Sequence, residues 1–344
     1  MTGRERVQRA LTFRRPDRAP RDLWPLPGIE MFRQDELQAL QARFPLDIAP
    51  PVFAYGRSPR QRGTPNVVGT YTDAWGCTWR VAQDGVVGEV KVPPLADWAA
   101  LDRLRPPYEI LEQADFRRVN ASCAASEQFV LAWPTVRPFE RLQFLRGTEA
   151  LLMGLAYGEG EVLRLRDLVH EFFLAELEKW AGTDVDGIAF MDDWGSQRDL
   201  LISPRLWRQL FKPLYAEYCR LIHRAGKFAF FHSDGQIMKI IPDLIEIGVD
   251  ALNAQLFCLD IEEIGRRFRG QITFWGEIDR TWVLAFGTPA DVAAAVRRVR
   301  AALDDGRGGV LAQCEWGIGV KQENIEAVFT TWLEAAPGGR AHAL

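Results

Sequence analysis

Short apolar runs separated by longer amphipathic stretches recur along the whole chain. Eight runs have the length of strands: 19–24 (APRDLW), 48–54, 129–134 (FVLAWP), 187–192 (GIAFMD), 228–232 (FAFFH), 249–254 (VDALNA), 272–277 (ITFWGE) and 309–314. Helical patterns follow most of them. Ser203 caps a helix that Pro204 opens (SPRLWRQLF), Thr288-Pro289 opens another (TPADVAAAVRRVRAAL), and two more are expected near 236–247 and 322–335. Strands alternating with helices argue for a parallel sheet with helical crossovers. Eight such units within 344 residues predict one (β/α)8 TIM barrel, a single domain spanning 1–344.

The stretch between 55 and 128 is far too long for a crossover. Within it, GTYTDAWGCTWRVAQDGVVGEVKV alternates apolar and polar positions about a Gly/Asp turn. That pattern predicts a β-hairpin near 70–92, inside an insertion of about 56–128 that caps the carboxyl-end mouth and carries Asp73 and Trp75 toward the cavity.

Composition narrows the class. Apolar content of 47% and charged content of 26% are those of a globular protein, and a net charge of -4 gives no reason to expect nucleic acid. The five cysteines are odd in number, widely spaced and form no CxxC pair, so they read as reduced thiols of a cytoplasmic protein. The charged N-terminus lacks the apolar core of a signal peptide, and no membrane-spanning run occurs. A GxGxxG loop is absent, which argues against a dinucleotide cofactor.

Polar residues gather where the strands should end. Asp22, Trp24, Trp133, Asp192, Asp193, His232, Asp234, Asn253, Gln255, Glu277, Cys314 and Glu315 fall at or just past a carboxyl end, and a barrel brings all those ends to one rim where its chemistry is built.

RERVQRALTFRRPDRAP, TDAWGCTW, MDDWGSQRDLLISPRLWRQLFKPLY, FHSDG, GVDALNAQ, WGEIDRTWVLAFGTP and QENI, taken in order, resemble the uroporphyrinogen-decarboxylase-like superfamily over nearly the whole chain. Within it the sequence is more similar to the methyltransferase branch, whose zinc enzymes move methyl groups between small molecules and a corrinoid protein. True decarboxylases hold substrate carboxylates with paired arginines near the N-terminus. Here RDLWPLPGIEMF offers Arg21 alone, which disfavours a tetrapyrrole with eight carboxylates. The resemblance implies zinc ligands at a distant Glu, a His-x-Cys pair and a later Cys. These positions correspond to Glu140, to His232 and Asp234 with Asp in place of the first Cys, and to Cys314. Relatives imply a monomer or homodimer, with any corrinoid carried by a partner protein.

His232 and Asp234 lie two apart, so both can face the barrel axis. Three protein ligands plus an open position is the pattern of a catalytic zinc, and Glu140 or Glu315 could add a fourth oxygen. Exchanging a thiolate for a carboxylate leaves zinc a stronger Lewis acid, which suits demethylation of a methylated donor. Asp192 and Asp193 are adjacent, so one should face the cavity as a general acid or base while the other caps a turn or pairs with Arg198. Trp24, Trp133, Trp194, Trp275 and Trp316 could wall a site for a flat ring or a methylammonium group, or simply pack the barrel core and rim. Asp73, Trp75, Asn253, Gln255 and Glu277 complete the expected substrate contacts. Two other readings stay open: a metal-free decarboxylase or lyase on a small carboxylic acid using Asp192 or Asp193, and a binding protein without catalysis.

Overall fold

The computed structural model describes residues 1–334. The expected helix end at 335 and the last stretch of the 1–344 domain lie outside the described residues. Among the described residues the strands are β1 (Arg21–Pro25), β2 (Ile48–Ala49), β3 (Gly69–Thr72), β4 (Thr78–Val81), β5 (Glu89–Val92), β6 (Phe129–Ala132), β7 (Gly187–Met191), β8 (Phe228–Ser233), β9 (Ala251–Ala254), β10 (Thr273–Trp275) and β11 (Val310–Trp316). Eight of them form one parallel sheet in the order β1-β11-β10-β9-β8-β7-β6-β2, the (β/α)8 barrel that the alternation predicts. At the seam, the Asp47 N–H donates to the Arg21 carbonyl at 2.9 Å and the Arg21 N–H donates to the Asp47 carboxylate at 2.6 Å.

The seam is closed only at its lower end. The run expected at 48–54 pairs over Ile48–Ala49 alone. Pro50 and Pro51 follow, and proline has no N–H to continue a ladder. Above that point β1 and β2 part, and a cavity of about 430 Å³ opens between them.

Strand alternation sorts the side chains into two cores. Phe129, Leu131, Ala189, Phe230, Ala251, Trp275 and Leu311 fill the barrel interior, closed from below by Val7, Ala10 and Leu11 of the helix Gly3–Leu11. Leu23, Val130, Ile188, Phe231, Leu252, Phe274 and Cys314 point outward into the larger core beneath the helices. The helix ends use local chemistry: Ser203 accepts from the Leu206 N–H at 3.2 Å, and Thr288 with Asp291 forms a capping box. Among the described residues no helix is long and apolar enough to cross a membrane.

The insertion forms a separate antiparallel sheet, β3-β4-β5. Its turn at Gly85 rests on Gly28 and Phe32 of the helix that follows β1, and the Leu95 N–H donates to the Leu145 carbonyl of the helix that follows β6 at 2.9 Å. Both helices begin beyond strand carboxyl ends, so the insertion lies on the mouth side as expected. Asp73 and Trp75, however, do not reach the cavity. Asp73 accepts from the Arg141 guanidinium at 2.8 Å and from the Trp79 indole at 3.2 Å, and the buried Trp75 packs edge-on against Phe172 at 5.0 Å. They latch the insertion onto the outer helices, because the apolar face of a three-stranded sheet must itself be buried.

Candidate active site at the barrel mouth

Strands β7 and β8 end in loops whose backbones touch. A Cβ on Gly195 would stand 2.3 Å from the Gln236 nitrogen, and Gly235 holds φ +79 against the Gly195 carbonyl. Only glycine fits either place. The loops are sewn together by Gly195 N–H to the Asp234 carbonyl at 3.1 Å, Gln236 N–H to the Ser196 carbonyl at 2.8 Å, and Asp234 N–H to the Asp193 carboxylate at 3.0 Å. This contact brings Asp193 and Asp234 together at the His232 ring, with one carboxylate oxygen of each 3.6 Å from Nε2. The three side chains form the one cluster among the described residues whose donor atoms could share a metal ion.

The tautomer of His232 follows from what lies behind it. Asn253 is fully buried, and its amide nitrogen faces the Trp275 carbonyl, which can only accept, and Gln313 Oε1 at 3.1 Å. Its oxygen is therefore the atom 2.7 Å from His232 Nδ1. Nδ1 donates to Asn253, and Nε2 is the ring nitrogen left facing the mouth, the side on which a metal-binding histidine offers its lone pair. Asn253 thus supports His232 from behind instead of contacting substrate.

Charged groups surround this cluster. The Arg280 guanidinium bridges Asp234 and Glu315, the latter at 2.8 Å, with the buried Glu277 carboxylate at 3.7 Å. Burial pushes the Glu277 carboxyl well above the usual range, against the pull of Arg280. Burial likewise raises Glu140 to about 7, with Arg137 at 3.6 Å drawing it down and Asp193 pushing it up. One oxygen of Asp234 and one of Glu140 are buried with no hydrogen-bond partner. Gln255 accepts from the Gly235 N–H at 2.8 Å and so fixes the loop that carries Asp234.

Four expected site residues lie behind the strand layer. Cys314 pairs with Leu23 across β1 and β11 and faces the helices, where burial holds its thiol protonated far above the ordinary range. Adjacent strand positions face opposite ways, so Glu315 reaches the mouth and Cys314 does not. Asp192 is also turned out: it accepts from the Phe139 and Glu140 N–H groups at 2.8 and 2.7 Å and from the Tyr215 hydroxyl at 2.5 Å, capping the helix Pro138–Arg146. Trp194 stacks on Phe139 at 4.1 Å, and the Trp316 indole donates to the Val320 carbonyl at 3.0 Å. Both are packing residues of the outer core.

Trp24 and Trp133 do face inward. Trp24 meets Trp133 at 5.1 Å, Trp275 at 4.9 Å and the His232 ring at 5.3 Å. Together with Met191 and Asp22, Trp24 and Trp133 line the cavity at the seam. Asp22 accepts from the Trp24 and Trp275 indoles at 3.0 and 2.7 Å, and its burial raises the carboxyl to about 6. Asp22 and Arg280 were not among the residues expected to bind. Asp22 stands out in the sequence only as one polar strand-end residue among many. Arg280 has no sequence signal, since its partners come from three different strand ends.

The geometry defines a (β/α)8 barrel with a polar, partly orphaned cluster at its carboxyl-end mouth. A methyltransferase from Methanosarcina mazei has the same architecture, with a TM-score of 0.71 at 14% identity over 96% of this chain and 98% of that one. A 3-keto-D-glucoside 4-epimerase from E. coli aligns at a TM-score of 0.38 and 14% identity, over 62% of this chain and 84% of that one. No protein-family model and no curated protein matches the sequence.

Proposed function

We propose that this protein transfers a methyl group from a small methylated donor to a corrinoid carried by a partner protein, at a divalent metal held by Asp193, His232 and Asp234. The observation that carries the reading is the His232 Nε2 lone pair, freed by Asn253 and flanked by two carboxylate oxygens at 3.6 Å. The residues fit a metal: one Asp234 oxygen is buried without a partner, and one imidazole with two carboxylates is a donor set that zinc accepts. When bound, such an ion supplies Lewis acidity toward the heteroatom that gives up its methyl group. The donor set is richer in oxygen than the one the resemblance implies, because it includes Asp193 and not Cys314. That hardens the ion and favours the demethylating direction over activation of a thiol.

The protein's own groups complete the task. Glu140, whose burial raises its carboxyl to about 7, can take up or give a proton near neutral pH beside a departing oxygen or nitrogen. Arg280 fixes Asp234 and Glu315 in place. A decarboxylase acting on a small carboxylic acid is a poorer fit. Asp192 is spent on a helix cap, and the Arg280 guanidinium at the mouth is already engaged by Asp234 and Glu315 instead of being free to hold a substrate carboxylate. A binding protein without catalysis would leave the orphaned oxygens of Asp234 and Glu140 unexplained.

Metal analysis of the purified protein, followed by methyl transfer from a panel of O-, N- and S-methyl donors to a corrinoid protein, tests the reading. The expected result is one equivalent of a divalent metal, lost together with turnover in His232→Ala. A metal-free wild type whose turnover ignores chelators would overturn it.

A further inference from the structure

The cavity between β1 and β2 has a lining of one electrical sign. Asp22 and Glu30 contribute carboxylates, Trp24 and Trp133 contribute indoles, Ile48 and Met191 contribute apolar wall, and among the described residues no Lys, Arg or His lines it. Asp22 is 5% exposed, and among the described residues no cation lies within ion-pair distance of it. A buried carboxylate without a counter-charge is costly, and the three N–H groups it accepts soften that cost without neutralising it. Its hydrogen bond from the Trp24 indole also draws electron density into that ring, which lines the same space. Negative ring faces and a desolvated carboxylate together favour an organic cation over water or a metal ion.

We infer that this cavity binds a small organic cation of the methylated-ammonium type, which serves as the positively charged end of the methyl donor. The cavity volume of about 430 Å³ accommodates a group of that size with room for a short chain. Trp24 forms a wall of the cavity and also packs on His232 at 5.3 Å, so a donor seated by its cationic end extends its methylated oxygen or sulfur toward the His232 cluster. The ammonium group is the handle; the methyl group transferred is at the other end. The catalytic meaning of the site rests on the methyl-transfer reading above, whereas the binding of the cation does not.

The test compares ligands of one shape and different charge by calorimetry and tryptophan fluorescence. The probes are choline, its neutral carbon isostere 3,3-dimethylbutan-1-ol, and 4-methoxybenzoate. Choline should bind at least tenfold more tightly than the isostere, and the benzoate should not compete. Asp22→Asn keeps the shape and one acceptor and should weaken choline at least tenfold. Trp133→Leu should weaken it several-fold, and Glu30→Gln, at the exposed rim, about twofold. If Asp22→Asn fails to fold, Trp133→Leu and the isostere comparison decide. Chelator-treated protein should bind choline as before, which separates this site from the metal cluster. Equal affinity for choline and its isostere would overturn the inference, and so would an unchanged affinity in both Asp22→Asn and Trp133→Leu. Methyl transfer without cation binding would sink this inference alone. Cation binding without methyl transfer would sink the functional reading alone.

Discussion

Replacing Asn253 with alanine should separate the orientation of His232 from its mere presence. The Asn253 amide accepts from His232 Nδ1 at 2.7 Å and donates to the Trp275 carbonyl and to Gln313 at 3.1 Å, all fully buried. Asn253→Ala frees the ring to rotate and to take the other tautomer. Losing such a supporting partner typically weakens a metal site 10–100-fold, or about 1.4–2.8 kcal/mol. The variant also strands at least two buried polar groups, at about 1–3 kcal/mol each, so the metal-free fold should lose roughly 3 kcal/mol. A competition titration against a chromophoric chelator reads the first effect, and denaturant unfolding in EDTA reads the second. Asn253→Asp is the control: it keeps an acceptor for Nδ1 but sets a carboxylate against the Trp275 carbonyl, so it should hold metal yet unfold more easily. The reasoning is refuted if Asn253→Ala binds metal like the wild type while His232→Ala binds none, because ring orientation would then be irrelevant.

Three further outcomes are expected. Cys314→Ala should leave metal stoichiometry unchanged and cost about 1 kcal/mol of stability, since the thiol sits in the outer core; loss of metal would place it at the mouth after all. Asp73→Ala should cost about 3–5 kcal/mol by leaving the Arg141 guanidinium buried and unpaired, and limited proteolysis should then cut the insertion before the barrel. Asp22 carries a pKa raised from 3.8 to about 6, so its contribution to stability is present below 3.8 and is lost as pH rises through about 6. Between about pH 4 and pH 7, urea unfolding should show the wild type losing about 2–3 kcal/mol relative to Asp22→Asn; parallel curves would mean the carboxylate is not desolvated as described.

The sequence by itself determined the order of strands and helices, and hence the barrel, because apolar period and turn chemistry act locally. It also placed His232 and Asp234 on one face, since residues two apart on a strand point the same way. The same period holds the answer for Cys314, which is odd-spaced from the inward Leu311 and Gln313 and so faces the outer core. Which member of the Asp192–Asp193 pair faces inward could not be told from their adjacency alone. It was settled by Tyr215 and by the helix Pro138–Arg146, whose N-terminus needs a cap at just that point. Trp194 and Trp24 look alike as strand-end indoles, yet one stacks on Phe139 outside and the other meets His232 edge-on inside. The cavity beside Asp22 depends on the seam between β1 and β2, whose pairing two prolines stop just past Ala49. Local pattern says which residues share a face, but the partner each face meets is set only when the barrel closes and one layer of side chains is buried against another.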